Sequence, residues 1–339
     1  MMNKGQRDLP VRDLLVMALV AMLGGAGLAR AQTLERTIPL PGVVGRIDHL
    51  AYDAEHQRLY VAALGNNTVE IVDVKAGKAL HTIGGLSEPQ GLLYEPQRKR
   101  IWVANGGDGS VRLFDATTFR PVRSIPLGDD ADNIRRDTTT GQVLVGYGSG
   151  GIAIFDPEGS KVADIKVDAH PESFQLEKNG KRIFVNLPGS HKVAVIDRVA
   201  SAVMGSWKTD DAQSNFPMSL DEQDGRLFIV CRKPAVLLVL DTRSGAVVAK
   251  LPTVGDSDDV FYDRSGKRIY VTGGDGAIVT YQQQSADQYS KVAQMDTVKG
   301  ARTSLFVPEL ARLFVAARQE AADPAAVRIY DVSGTAGTQ

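Results

Sequence analysis

A basic or polar residue followed by three apolar ones recurs seven times along this chain at a nearly constant interval, and that repeat limits what the chain can fold into. The copies are Arg58-Leu59-Tyr60-Val61, Arg100-Ile101-Trp102-Val103, Gln142-Val143-Leu144-Val145, Arg182-Ile183-Phe184-Val185, Arg226-Leu227-Phe228-Ile229, Arg268-Ile269-Tyr270-Val271 and Arg312-Leu313-Phe314-Val315. Successive starts lie 42, 42, 40, 44, 42 and 44 residues apart. A shorter apolar run ending in an acid comes before the basic position, as in Leu50-Ala51-Tyr52-Asp53 and Val260-Phe261-Tyr262-Asp263. A third run follows a Gly/Asn-rich turn and often closes on aspartate, as in Val69-Glu70-Ile71-Val72-Asp73 and Val111-Arg112-Leu113-Phe114-Asp115. A fourth, more polar run comes next, as in Pro121-Val122-Arg123-Ser124-Ile125-Pro126-Leu127. The runs are short, rich in β-formers and bounded by turn residues, so each repeat reads as four strands.

Four antiparallel strands in about 40–45 residues make one blade of a propeller. A single such sheet cannot bury both of its faces, whereas seven packed radially can. The expected fold is all-β: a seven-bladed β-propeller of four-stranded antiparallel blades, forming one domain over residues 32–339. Blade 1 spans about 46–84, blade 2 88–127, blade 3 130–167, blade 4 171–208, blade 5 215–253 and blade 6 257–296. Blade 7, at 301–333, runs out after Tyr330-Asp331 without a fourth strand. The segment Leu34–Leu40 parallels Val122–Leu127 in sequence, so the N-terminal strand is expected to close the last blade.

The runs Leu59-Tyr60-Val61-Ala62, Asn66-Asn67-Thr68-Val69-Glu70-Ile71-Val72-Asp73, Ile101-Trp102-Val103-Ala104-Asn105 and Ile269-Tyr270-Val271-Thr272 resemble the repeat of the YVTN (YncE-like) propeller family. The resemblance covers about residues 34–333. It implies the ring fold and leaves function open, because propellers of this kind range from extracytoplasmic binding proteins to lactonases and lyases. The Trp-Asp closing pair of WD repeats is absent, and Trp102 and Trp207 are the only tryptophans.

Residues 1–31 read as a signal peptide. Lys4, Arg7 and Arg12 precede an uncharged run from Leu14 to Ala29, and Ala29-Arg30-Ala31 fits a small-x-small cleavage site. The run is short for a membrane-crossing helix, which takes about 20 residues. The expected location is therefore periplasmic or secreted, with no integral membrane segment after cleavage. Removing four basic and two acidic residues leaves 35 basic against 38 acidic. That balance argues against a nucleic-acid partner, which would call for a basic stripe. Cys231 is the only cysteine, so no intrachain disulfide forms, and its strand context reads as a buried thiol.

The glycine clusters Asn105–Gly109 and Gly273–Gly276 lie between strands and lack both the following helix and the Gly-Lys-Ser/Thr of a P-loop, so they read as hairpin turns. A better candidate for function is the segment just before each innermost strand, where all blades converge on the central channel. Six of these seven segments carry acids. The candidate ligand-binding residues are Asp48, His49, Gln90, Asp132, Asn133, His170, Glu172, Asn215, Asp258, Asp259 and Arg302. Clustered carboxylates repel, and a bound cation would relieve them. Turn formation alone also explains many loop aspartates. The turns between second and third strands open on the same face, so Arg46, Arg232, Arg302 and Arg318 are expected to offer charge to an anionic group. The longest of these turns, Gln319–Ala326, is expected over the pocket. His56, His81 and His191 read as surface or turn residues.

No catalytic set and no Gly-x-Ser-x-Gly elbow is recognised. The function expected is a non-catalytic scaffold binding a small molecule, peptide or partner protein at the channel mouth. No motif calls for a cofactor, and a divalent cation is the one ion the acids would suit. The alternative is a metal-assisted hydrolase or lyase, lactonase-like, using Asp48, Asn133, Glu172, Asn215 and Asp259 around the channel.

Overall fold

The structure, a computed structural model, describes residues 1–2, 32–209, 211–320 and 323–334. The expected signal peptide falls almost wholly outside the described residues. Seven four-stranded antiparallel sheets make up the fold. Helical structure among the described residues is limited to three single 3-10 turns, at Leu64–Asn66, Pro188–Ser190 and Pro308–Leu310. No described helix is long and apolar enough to cross a membrane.

In six blades the chain runs consecutively from an inner strand at the channel to an outer strand at the rim. Blade 1 is typical, with Leu50–Asp53, Arg58–Ala63, Thr68–Asp73 and Lys78–Ile83. The burial of each strand follows its place in the stack. The second strand, Arg58–Ala63, is buried at every position after its arginine, whereas Lys78–Ile83 is mostly exposed. A middle strand has neighbouring blades against both faces, so it needs an unbroken apolar run in place of the alternating pattern of a one-sided sheet. The seven tripeptides of the repeat are these strands.

The recurring arginine and aspartate also have a place. Arg58 pairs in register with Asp73, Arg100 with Asp115, Arg226 with Asp241 and Arg312 with Asp331. The aspartates do a second job, since Asp73 accepts the backbone N–H of Ala76, Asp115 those of Thr117 and Thr118, and Asp241 those of Arg243 and Ser244. They fold the tight turn that leads to the outer strand. Acids ending the inner strands act alike: Asp53 accepts from His56, and Asp263 from Ser265. All of these lie on one face of the ring, opposite the candidate mouth.

The ring closes through its N-terminus. Strand Thr33–Pro39 pairs antiparallel with Ala326–Asp331, with Ile38 opposite Val327 and Leu34 opposite Tyr330. Leu40 continues the contact through its N–H to Ala325. Ile38 and Leu40, 0% and 1% exposed, pack with Leu59, Val61, Phe314 and Val327 of blades 1 and 7. Glu35 also pairs with Arg312. Blade 7 is thus completed by the residues farthest from it in sequence. Ile38→Ala is expected to cost about 2–4 kcal/mol, as for a core position inside a blade. Denaturant unfolding of the variant measures this, and a cost below about 1 kcal/mol would show that the strand is a loose flap.

Candidate functional site

The mouth is built by irregularity at the start of the inner strands. In blades 2, 3, 5 and 6 the pairing of inner to second strand slips, between Pro89 and Leu92, Ala131 and Ile134, Asn215 and Met218, and Ser257 and Asp259. Such bulges re-aim side chains that a regular strand would send elsewhere. In blade 3 the residues inside the bulge are Asp132 and Asn133. Gly91 of blade 2 lies so close that a Cβ there would sit 2.0 Å from the carbonyl oxygen of Asp132. Only glycine allows this approach. Just upstream, Glu88, Asp130, Ser214 and Asp256 all adopt positive φ, and Gly300 holds the same place in blade 7.

Three groups of charged residues share the mouth. In the first, Arg232 and Arg302 clamp Asp258, with Arg232 Nη2 at 2.6 Å and Arg302 Nε at 3.0 Å from its two oxygens. Both arginines also reach Asp256, and Arg232 lies over the Phe216 ring at 3.8 Å. This network spans blades 5, 6 and 7 and neutralises itself. Arg46 pairs with Asp48 at 3.2 Å and Arg318 with Glu320 at 3.5 Å. The four arginines expected to await an anion are therefore engaged by acids of the same face.

The second group is His49 between two carboxylates. Its Nε2 is 3.7 Å from Asp48 Oδ1, and its Nδ1 is 3.9 Å from Asp259 Oδ1. Asp259 accepts the backbone N–H of Ser304 at 2.7 Å. Burial raises the Asp48 carboxyl to about 6 against the pull of His49, with Asp258 and Asp132 adding repulsion. Burial likewise raises Asp259 to about 7. For His49 burial acts in the other direction, but Asp48, Asp259, Asp132 and Asp258 outweigh it and hold the imidazole at about 9.

The third group joins blades 3 and 4. Ligating atoms of Asp132, His170 and Glu172 all lie within 4.8 Å of one another. His170 Nδ1 donates to the Gly148 carbonyl at 2.6 Å, and Nε2 faces Asp132 Oδ2 at 3.8 Å. The second distance is an electrostatic contact, too long for a hydrogen bond. Behind them, Gln90 Nε2 donates to Asp130 Oδ1, and Asp130 Oδ2 lies 3.6 Å from His170 Nδ1. Burial pushes the Glu172 carboxyl well above its usual range, reinforced by Asp132 and Asp258. Burial works against ionised Asp132 as well, but the imidazoles of His170 and His49 outweigh it and hold Asp132 low.

Of the eleven sequence candidates, Asp48, His49, Asp132, His170, Glu172, Asp258 and Asp259 thus act on one another across the mouth. Arg302 joins through Asp258, Gln90 stands behind His170, and Asn133 lies against Asp132. Asn215 is drawn away from them. It is fully buried, and its Nδ2 donates to Asn186 Oδ1 and Lys192 O, tying blade 5 to blade 4. The turn after Arg318 is described only in part, and within it Glu320 and Asp323 bridge each other. Cys231 is buried with its thiol pushed up to about 12 by burial, which suits packing and not nucleophilic attack.

Below the mouth, the inner strands line a cavity of about 320 Å³. His49, Asp259, Ser304, Gln175 and Arg135 supply its polar wall, and apolar or aromatic residues such as Leu93, Tyr94 and Phe261 the rest. Arg135 escaped the sequence reading. It donates to Ser173 Oγ at 3.1 Å and to Ile134 O at 2.8 Å, and stacks over Phe174. No carboxylate among the described residues forms an ion pair with it. Burial lowers its proton affinity, and Asp259 and Asp132 act on it only through their charge. Its place on the innermost strand Ala131–Arg136, two residues beyond Asn133, was the available signal.

No family model matches the chain, and no curated protein matches it. Solved structures do share its ring. The chain is similar to one of Kuenenia stuttgartiensis hydrazine synthase, with TM-score 0.72 and 17% identity over 82% of this chain and 95% of that one. A chain of a mitotic checkpoint complex gives TM-score 0.74 at 16% identity, covering 96% and 99% respectively. The WD40 repeats of RRP9 give TM-score 0.76 at 11% identity, covering 87% and 96%. At these identities the likeness is one of fold: the chain is a seven-bladed β-propeller.

The raised groups fix a sign for pH dependence. A group whose folded pKa lies above its unfolded value contributes stability that is complete below the unfolded value and lost as pH rises through the folded one. For Asp259 that window runs from its ordinary 3.8 to about 7. Asp259→Asn removes this loss, so in chelator-treated protein the variant's melting midpoint should gain on wild type as pH rises from 4 to 7. Thermal unfolding across that range is the check, and a difference that stays constant or shrinks would refute the burial of this carboxyl.

Proposed function

We propose that the chain is an exported binding propeller of the YVTN-repeat kind that holds a small molecule in its central channel. The observation that carries the reading is the cavity beneath the mouth, where apolar side chains and polar groups of perturbed proton affinity converge on one chamber. Binding sites are concave and mostly apolar, with a few placed polar groups that fix orientation. Here the apolar body of a ligand would lie among Leu93, Tyr94 and Phe261, with its head group between Arg135, His49 and Ser304. Arg135 lacks a carboxylate partner, and protonated His49 adds a second cation, so a carboxylate-bearing ligand suits that end best. The acids above select against a second anionic group. Export rests on the character of residues 1–31 and family membership on the seven tripeptides.

A second reading, metal-assisted hydrolysis or lyase chemistry, draws on one observation, the proximity of Asp132, His170 and Glu172. It places the reacting group of the ligand at the rim of the same chamber.

A panel of small aryl and alkyl carboxylates, with the matching amines and lactones, tests the proposal by thermal shift and calorimetry. Carboxylates are expected to stabilise the protein by mass action. Leu93→Trp, which fills the chamber, and Arg135→Met, which removes the cation, should each weaken binding about tenfold or more. A carboxylate that binds both variants as well as wild type, or a panel without any binder, would overturn the reading.

A further inference from the structure

We infer that Asp132, His170 and Glu172 form a binding site for one divalent first-row transition metal ion, at the junction of blades 3 and 4. The inference deepens the channel-binding reading, since the ion would sit at the entrance to the same chamber.

The donor set has the chemistry. One imidazole nitrogen and two carboxylates suit zinc, cobalt or manganese better than calcium, which takes oxygen ligands alone. Two donors each about 2.1 Å from such an ion lie at most about 4.2 Å apart. His170 Nε2 and Asp132 Oδ2, 3.8 Å apart, already meet that condition. The full set, within 4.8 Å, reaches it with a small side-chain rotation.

The orientation of His170 is fixed for the purpose. Its Nδ1 faces a backbone carbonyl, which can only accept, so that nitrogen carries a proton and Nε2 is turned toward Asp132. A ligating histidine is characteristically held this way, its other nitrogen bonded to a carbonyl or carboxylate. Asp130, braced by Gln90, lies on the same side of the ring and adds negative charge behind it.

Two polar groups at the cluster lack partners. Asn133 is 1% exposed, and its Nδ2 lies 3.3 Å from the Asp132 oxygen that His170 faces. Its Oδ1, on the same carboxamide, accepts no hydrogen bond. A buried acceptor left empty costs on the order of 1–3 kcal/mol, and a metal-bound water beside it would supply the missing donor. Among the described residues, no side chain donates to the Glu172 carboxylate either. It lies within 4.8 Å of both Asp132 and His170, and a cation bound there turns the repulsion between the two carboxyl groups into attraction.

The test is titration of purified, chelator-stripped protein with Co²⁺, Zn²⁺, Mn²⁺ and Ca²⁺, following Co²⁺ by its visible spectrum and the others by calorimetry. One Co²⁺ or Zn²⁺ per chain is expected, bound well ahead of Ca²⁺. His170→Ala and Glu172→Gln should each weaken it about tenfold or more, whereas Asp168→Asn, at an acid outside the cluster that is paired with Lys192, should change it less than about threefold. Glu172→Gln removes a like charge, so the metal-free variant should melt no lower than wild type, which separates lost ligation from lost folding. Absence of stoichiometric binding would overturn the site. So would loss in Asp168→Asn equal to that in Glu172→Gln, or an undiminished affinity in His170→Ala, because diffuse attraction by the acids predicts both. Repeating the carboxylate panel on the metal-free protein separates the two proposals: carboxylate binding without metal binding sinks this one alone, and the reverse sinks only the chamber reading.

Discussion

The constraint on which the structure depends is that the two middle strands of every blade must be covered on both faces. A run such as Leu59–Ala63 or Leu227–Cys231 has no polar side to turn toward water. Its burial requires a neighbouring blade on each side, and that requirement has no natural end until the sheets close into a ring. Closure then falls on the last blade, which has three strands of its own. Strand Thr33–Pro39 supplies the fourth and carries Ile38 and Leu40 into the shared core of blades 1 and 7. An open array would leave those faces in water, at roughly 25 cal/mol for each square ångström of apolar surface.

The same architecture sorts the acids of this chain into two kinds. Acids on one face end strands and accept N–H groups of the turns that follow, as Asp73, Asp115 and Asp241 do. These are structural and satisfied. On the other face the inner strands converge, and bulges deliver Asp132 and Asp258 toward an axis that Asp48, Glu172 and Asp259 also approach. Few turn N–H groups meet them there. Their carboxyls instead contend with burial and with one another, and His49 and His170 are drawn upward in proton affinity as a result. Functional chemistry belongs where such charges are held together against their own repulsion.

Much of this could be read from residue types, and the remainder fails for an identifiable reason. The seven tripeptides carry the blades because period and burial are both local properties of a repeat. The closing strand was visible because Leu34–Leu40 parallels Val122–Leu127 in order and type. Position before the inner strand was enough to select Asp48, His49, Asp132, His170 and Glu172. It was not enough to exclude Asn215, which takes the equivalent place in blade 5 but turns into the interface with blade 4. Nor did it show that Arg232 and Arg302 are spent on Asp256 and Asp258, since that pairing joins residues 24 to 46 positions apart. Bulges such as the one at Asp132 depend on a glycine in the neighbouring blade, and no pattern within one repeat records it. Arg135 was passed over because a charged residue in a strand pattern reads as an exposed edge, whereas here it faces an internal chamber.

The central claim is that the mouth is one electrostatically coupled site, with its histidines held charged by the carboxylates around them. The most direct measurement is the titration of the His49 imidazole by NMR, in wild type and in Asp48→Asn. The account predicts a wild-type midpoint near 9, above the ordinary 6.5, and a clear fall when Asp48 is neutralised. A His49 that titrates near 6.5 and ignores Asp48 would contradict it.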